Sequence, residues 1–543
     1  MEIIQKEVSR YETLRVQMAA TIWNETGAAF FEEDIPFSAR NNKKFARKLV
    51  TLYTTLTQGL SDPHFLVVEL GAGLGLLGHF FLSLLQEENP ALYAKTRFWS
   101  SDSGHLPSFR SLDTHKTCQK KDINLLTPHF EGQKPILCFG SYVLDSLPPI
   151  CLHLKEHLLT EFKFETSVPK NATIMTTNTT PPTSHIVADI VKTPPHTWPA
   201  YWLPEMAELL QENAQMRPWQ PDAIPLEDQK HIRSFAQKNA YAGYFNAIPG
   251  LTQHLQAVIT HLHPEGCYLI SDFGFSQELT SEQGSLASRY QLALFHAVCF
   301  PLLRHIVSEL GGHTQITNRA MDQTQECLIS RKNPVPIFSI FETETPDDGL
   351  SQRLDALLAL DDKPFLENYP EFKKSLSSDD ASDYVLCKLL ASRLFKLGHL
   401  KEVMHWTGHM ENTFDHLAPD AYLLTGWACQ IQKDHNTAIA CFREVIKTCP
   451  HHSLAYGASA ASALAIGDFE NAKIWIHEAL KWARGDGYWI HLVTQCTMWY
   501  RNKQQAELKE TLLWVKKVLT AEPNRIPPRV KTQLAELVPL ILK

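Results

Sequence analysis

The residues best suited to chemistry stand in one short run, Val67-Val68-Glu69-Leu70-Gly71-Ala72-Gly73-Leu74-Gly75-Leu76-Leu77-Gly78. A buried strand that runs into a glycine turn and then a helix lets a ligand approach bare backbone and the unpaired N–H groups of the helix start. The run predicts a site for a nucleotide-like cofactor. Gly73-x-Gly75-x-x-Gly78 literally fits the dinucleotide pattern, a weak signal when it stands alone. Glu69 tilts the choice. An acid at the strand end, just before the first glycine, suits a ligand with cationic ammonium and sulfonium groups better than a pyrophosphate. That describes S-adenosylmethionine, with a nicotinamide dinucleotide as the competing reading.

The arrangement resembles motif I of class I methyltransferases, acid-x-Gly-x-Gly-x-Gly, carried here by Glu69, Gly71, Gly73 and Gly75. The resemblance implies a second acid at the end of the next strand, gripping the ribose hydroxyls, and Arg97-Phe98-Trp99-Ser100-Ser101-Asp102 supplies Asp102. Asp122, after Lys120-Lys121, is the matching candidate for the adenine amine. The likeness narrows at Gly140-Ser141-Tyr142-Val143-Leu144-Asp145-Ser146-Leu147-Pro148, which resembles the Asn-Glu-Phe-Phe-Asp-Ala-Leu-Pro signature of the MidA-like methyltransferases. That is the family of the mitochondrial complex I assembly methyltransferase. Ser38 to Phe45 has the spacing of that family's Thr-Ser-Pro-Glu-Ile-Ser-x-x-Phe loop, which places Ser38 among the cofactor-side residues. Ser271-Asp272-Phe273-Gly274 is similar to its Asp-Tyr-Gly, and Leu294 to Leu302 resembles its later substrate-side helix.

The resemblance covers residues 10 to 330 and implies a seven-stranded methyltransferase sheet, S-adenosylmethionine as donor and a protein arginine as one candidate acceptor. Ser141 and Tyr142 stand where the family has Asn and Glu. A guanidinium needs carboxylates to fix its fork and aim its nitrogen at the methyl, so Asp145 and Asp272 become the catalytic candidates. Displacement on an already activated sulfonium gains mainly from positioning and desolvation, so the lack of a catalytic triad is no objection.

These residues need a scaffold, and the apolar pattern predicts one. Residues 10 to 60 read as helical around a break, with Glu32 to Ser38 as a loop, and residues 1–60 form an N-terminal helical segment with a cofactor-covering loop. Residues 61–342 form the catalytic domain. Its short buried runs, Phe65 to Val68, Ile136 to Phe139 and Tyr268 to Ile270, alternate with long helical patterns, which argues for a parallel α/β sheet with helices on both faces. A stretch rich in Thr, Pro, Asn and Ser opens an insertion or flap over residues 166–250. An acidic, turn-rich linker occupies 343–380, and 381–543 is an all-α domain. Ala438, Ala472 and Ala506 recur there at a 34-residue period, and Tyr422, Gly426, Ala438, Phe442 and Pro450 resemble the signature positions of a tetratricopeptide repeat. Residues 381 to 410 read as an earlier, weaker unit. Such repeats imply recruitment of a protein substrate or partner.

A formal charge of −8 over 543 residues gives no basic footprint for nucleic acid. Eleven scattered cysteines with no Cys-x-x-Cys pair read as reduced thiols, which places the chain in the cytoplasm. The apolar stretch Phe65 to Leu85 contains Glu69, His79 and four glycines, so it reads as strand, turn and helix rather than a membrane span. His153-Leu154-Lys155-Glu156-His157 spells an inverted zinc-protease motif, yet Ile150, Leu152 and Leu154 alternate like a strand, and no metal site is assigned. Asp272-Phe273-Gly274 lacks the companion motifs of a kinase. The leading reading is therefore a methyltransferase acting on a protein side chain. Its rival, motivated by the altered Ser141-Tyr142 pair, is an inactive methyltransferase-like adaptor.

Overall fold

The computed structural model describes the chain apart from residues 27–41, 103–109, 177–182, 222–223, 240–241, 291–292, 320–322, 333–337, 343–349, 415–417, 484, 522–525 and 538–543. Ser38, the loop around it and the acidic stretch 343–349 lie outside the described residues.

The central sheet is built from β1 (Phe65–Leu70), β2 (Thr96–Ser101), β3 (Cys118–Lys120), β4 (Pro135–Ser141), β5 (Cys267–Phe275), β6 (His313–Ile316) and β7 (Thr324–Ser330). They lie in the order β3-β2-β1-β4-β5-β7-β6, and the short strand Val298–Cys299 pairs with the end of β5. Strands β3 to β5 run parallel, and β7 is antiparallel to both its neighbours. The order reverses between β1 and β4, and ligands of open α/β sheets bind at the carboxyl ends of strands beside such a switch. This is the class I methyltransferase sheet that the resemblance implies.

All six residues of β1 are buried, as a strand covered on both faces requires. Its alternate side chains feed two cores. Phe65 and Val67 join α1 (Lys43–Thr57) and α2 (Leu76–Glu88), whereas Leu66, Val68 and Leu70 join α3 (Leu226–Lys238), α4 (Leu251–His261) and α5 (Phe300–Glu309).

The N-terminal segment and the insertion depart from the sequence reading. Residues Glu2–Val8 are a strand rather than part of a helical segment. That strand pairs antiparallel with Leu158–Val168, which also pairs with Ile150–Lys155 and Gln211–Pro218, and Gly243–Ala247 completes a second, five-stranded sheet. Residues 166–168, 211–218 and 243–247 of the expected flap thus belong to an antiparallel sheet rooted before residue 166. The two strands from Ile150 to Val168 join through Glu156 and His157, at φ 50° and 65°, the conformation of a tight hairpin turn. His153 and His157 therefore share no helical face. The Leu294 to Leu302 segment is likewise not one helix: Ala293–His296 is a strand and α5 begins only at Phe300.

Residues 350–374, expected as linker, form two helices whose Phe365, Tyr369 and Phe372 are buried. Antiparallel helix pairs follow: α6 (Tyr384–Lys396) with α7 (Leu400–Phe414), α8 (Pro419–Ile431) with α9 (His435–Thr448), α10 (Ser453–Ile466) with α11 (Phe469–Trp482), and α12 (Gly485–Arg501) with α13 (Gln505–Ala521). Gly426 is needed where α8 meets α9, because a Cβ there would lie 2.4 Å from the Phe442 ring. The helical region does not hang free. Its first helices, through α8, share one continuous core with α1, α2 and their face of the sheet, with Phe80 and Phe414 rings 5.9 Å apart. Lys44–Asp380 at 2.5 Å and Arg47–Asp379 at 3.1 Å rim this junction.

Candidate cofactor and acceptor site

The turn leaving β1 is left-handed at alternate residues: Gly71, Gly73 and Gly75 have φ of 65°, 52° and 76°. L side chains rarely adopt that region, so glycine is required by the backbone itself. Two hydrogen bonds shape the turn. Ala72 N–H donates to the Ser101 carbonyl at 2.9 Å, tying it to the end of β2, and Gly75 N–H donates to the Ala72 carbonyl at 2.8 Å. Gly75 then caps α2.

The glycines do different jobs. A Cβ on Gly71 would lie 2.6 Å from Val143 Cγ2, so this glycine permits close packing against the loop after β4. A Cβ on Gly73 would meet nothing within 4 Å. Gly73 opens onto free space, and its N–H donates to Asp102 Oδ2 at 2.7 Å. Bare backbone beside a carboxylate at the carboxyl ends of β1 and β2 is a cradle of the kind a nucleoside needs. Asp122 is exposed in the segment just past β3. Lys121 N–H donates to the Ser100 carbonyl, and Ile123 N–H to Ser101 Oγ at 3.2 Å, so the segment is braced against β2. The two acids expected for ribose and adenine thus follow adjacent parallel strands.

Glu69 is placed differently from the sequence reading. Its carboxylate turns inward under α2, where a Cβ on Gly78 would lie 2.5 Å from Glu69 Oε2. Burial, and then the negative charge of Asp102, push its carboxyl up to about 8, against a smaller opposing effect of the Gly78 amide. Glu69 underpins the turn and does not line its open side.

The signature loop after β4 is held from below. Asp272, on β5, accepts Val143 N–H at 2.8 Å and Leu144 N–H at 3.2 Å, and the Tyr142 and Asp145 amides also favour its charged form. Burial outweighs those amides and raises the Asp272 carboxyl to about 7. Tyr142 takes φ 56°, donates its N–H to the Ser271 carbonyl at 2.9 Å and sets its ring 5.5 Å from Phe273. Asp145 is fully enclosed, and neither oxygen makes a hydrogen bond of ordinary geometry. Burial and the neighbouring Asp272 hold it well above the usual carboxylate range.

Asp145 and Asp272, the two catalytic candidates, are therefore together, but both have zero exposure. In this arrangement they are positioning residues beneath the loop, and the half-buried Ser141 and Tyr142 stand nearer its surface. Sequence reasoning missed His296, whose N–H donates to the Asp145 carbonyl at 2.7 Å and whose imidazole burial pushes down to about 3. It also missed Val143 as the floor of the glycine turn. Gly274 belongs to packing: a Cβ there would lie 2.2 Å from the Val298 carbonyl oxygen.

With this geometry in place, comparison with known proteins becomes informative. Residues 45–304 match the profile of a family described as "Putative S-adenosyl-L-methionine-dependent methyltransferase". That match makes the sheet domain a methyltransferase, with S-adenosylmethionine as its cofactor. No curated protein matches. Among solved structures, the chain is similar to a Burkholderia thailandensis protein bound to S-adenosyl-homocysteine, at 13% identity and TM-score 0.39, over 62% of this chain and 92% of that one. It is also similar to human N-acetylserotonin methyltransferase in complex with SAM, at 10% identity and TM-score 0.26, over 60% and 58% of the two chains.

The residues present fit this cofactor. Gly73 would leave the backbone bare for it, Asp102 and Asp122 would offer acceptors for its hydroxyl and amino groups, and Gly71, Gly75 and Glu69 would keep the turn in shape. When bound, S-adenosylmethionine supplies a methyl group already activated by the sulfonium. The chain's own contribution is to orient that group, exclude water and hold the acceptor loop in place through Asp272.

Proposed function

We propose that this methyltransferase acts on a protein side chain, with arginine as one candidate acceptor, and that its helical repeats recruit the protein partner or substrate. The open backbone of Gly73 beside Asp102, in a turn whose Gly71 packs against Val143 of the loop after β4, is the observation that carries the transfer half of this reading. The recruitment half is supported by exposed apolar side chains. Eight of the fourteen large exposed hydrophobics among the described residues lie between Met404 and Leu513, in the helical pairs. Surface apolar groups gathered in one region mark interaction sites more often than scattered ones do. The 34-residue period and the Gly426–Phe442 contact support the tetratricopeptide resemblance, and the Asp145 signature supports the MidA-like one.

Incubation of the purified protein with radiolabelled S-adenosylmethionine and a protein lysate tests the reading. Label on a protein band that weakens in full-length protein carrying Ile431→Glu, Ile474→Glu and Leu513→Glu, exposed positions on the helical pairs, is the expected result. Label on small molecules alone would contradict it. The adaptor reading is favoured by one observation, the complete enclosure of Asp145 and Asp272, which leaves neither of these carboxylates exposed to grip a guanidinium. Retention of cofactor binding with no methyl transfer to any protein would bring it forward.

A further inference from the structure

Away from the cofactor cradle, on the outer helices of the sheet, one group of three potential metal ligands stands together among the described residues: His231 on α3, and His305 and Glu309 on α5. His305 and Glu309 are four residues apart and so share one face of α5. His231 comes from a helix whose Ile232 and Phe235 pack in the same core as Leu302 and Ile306 of α5. One ring nitrogen of each histidine and one oxygen of Glu309 all lie within 4.8 Å of one another.

The hydrogen-bonding ledger of this group is incomplete. His231 is 4% exposed, and its Nδ1 is enclosed without a partner. His305 Nε2 is enclosed without a partner as well. The two rings meet edge to face at 6.4 Å, with Phe235 5.8 Å from His305. Buried polar atoms are nearly always satisfied, so two orphaned imidazole nitrogens in a group that also offers a carboxylate ask for a third party. Glu309 is engaged by Lys238, whose side chain is 60% exposed and free to swing into water.

We propose that His231, His305 and Glu309 form a binding site for a zinc-class divalent cation that pins α3 to α5. Two neutral imidazoles and a carboxylate suit zinc, at donor distances of about 2.0–2.2 Å, which leaves the ligand atoms roughly 3.4 Å apart around a tetrahedron. The observed spread of up to 4.8 Å closes by side-chain rotation, with Lys238 released from Glu309. A water at the half-exposed rim completes the coordination. The long sequence separation between residues 231 and 305 explains why no spacing motif announces the site.

Untagged full-length protein is stripped with chelator and titrated with Zn2+, and in parallel with Co2+ followed by its visible spectrum. One equivalent is expected to bind, with a tetrahedral cobalt band lacking thiolate charge transfer and a raised thermal midpoint. Glu309→Gln, at an exposed position that need not disturb folding, and His305→Ala should each lose binding at equimolar metal while circular dichroism stays native. No binding by the wild type would overturn the proposal. Unchanged binding in Glu309→Gln and His305→Ala, or a cobalt spectrum with thiolate bands, would overturn it too, because the metal would then be held elsewhere.

Discussion

Gly73 stands at φ 52° with open space where a side chain would go, so a substitution there tests the cradle more than the core. In Gly73→Val the β-branched residue is forced into the left-handed region, at a cost on the order of 1–2 kcal/mol. Its methyls also enter the open space. Native circular dichroism with S-adenosylmethionine binding weakened about a hundredfold or more, some 3 kcal/mol, is expected by calorimetry. Asp102→Asn separates two roles of that carboxylate. The amide oxygen can still accept the Gly73 N–H now bonded at 2.7 Å, so the turn survives, but the charged acceptor for a ribose hydroxyl is gone. Cofactor affinity should fall about ten- to a hundredfold, the worth of a charge-assisted hydrogen bond, with an unchanged thermal midpoint. A midpoint that drops with the affinity would make Asp102 a purely structural residue.

The acceptor loop belongs to the scale of elements, because its shape depends on a strand 128 residues away in sequence. Asp272→Ala leaves the Val143 and Leu144 amides without their acceptor inside the protein, and a loss of about 3 kcal/mol in denaturant unfolding is expected. The pH dependence has a definite sign. Burial raises Asp272 to about 7, and burial plus the Asp272 charge raises Asp145 well above its ordinary value. Both protons are held more tightly in the folded state, so the stability these groups contribute is full below their unfolded values near pH 4. It is lost as pH rises through the folded ones. Asp145→Asn removes a carboxyl that the fold holds protonated but the unfolded chain ionises, and its unfolding free energy relative to the wild type should therefore grow between pH 5 and pH 8. A difference independent of pH would show that Asp145 ionises in the folded protein as it does in the unfolded chain, and would contradict a raised folded value. The pattern of what the sequence disclosed follows from the same long reach. The glycine turn, the buried parallel strands and the 34-residue period are local signals, and each was legible. The second sheet was not, because Glu2–Val8 pairs with a strand over 150 residues later and Gln211–Pro218 carries no apolar alternation. Asp272 was legible as a motif residue, but its task of holding backbone amides depends on tertiary contacts that no spacing encodes.

At the scale of the whole molecule, the helical region up to α8 shares a core with the methyltransferase sheet, so this part is built onto the sheet domain, while the later helices have cores of their own. Truncation after residue 342 would strip α2 of Phe414 and the surrounding helices and expose Phe80, Leu84 and their neighbours. Exposed core of that kind drives aggregation, and the truncated protein is expected to be less soluble and to melt well below the full chain. An equal melting point would mean that the junction contributes little. The central claim remains the identity of the ligand over Gly73. Calorimetric titration of the full-length protein with S-adenosylmethionine, S-adenosylhomocysteine and NADH tests it most directly. Saturable one-to-one binding of the two adenosyl ligands, with none of NADH, is the predicted result; binding of NADH alone, or of none of the three, would contradict the account.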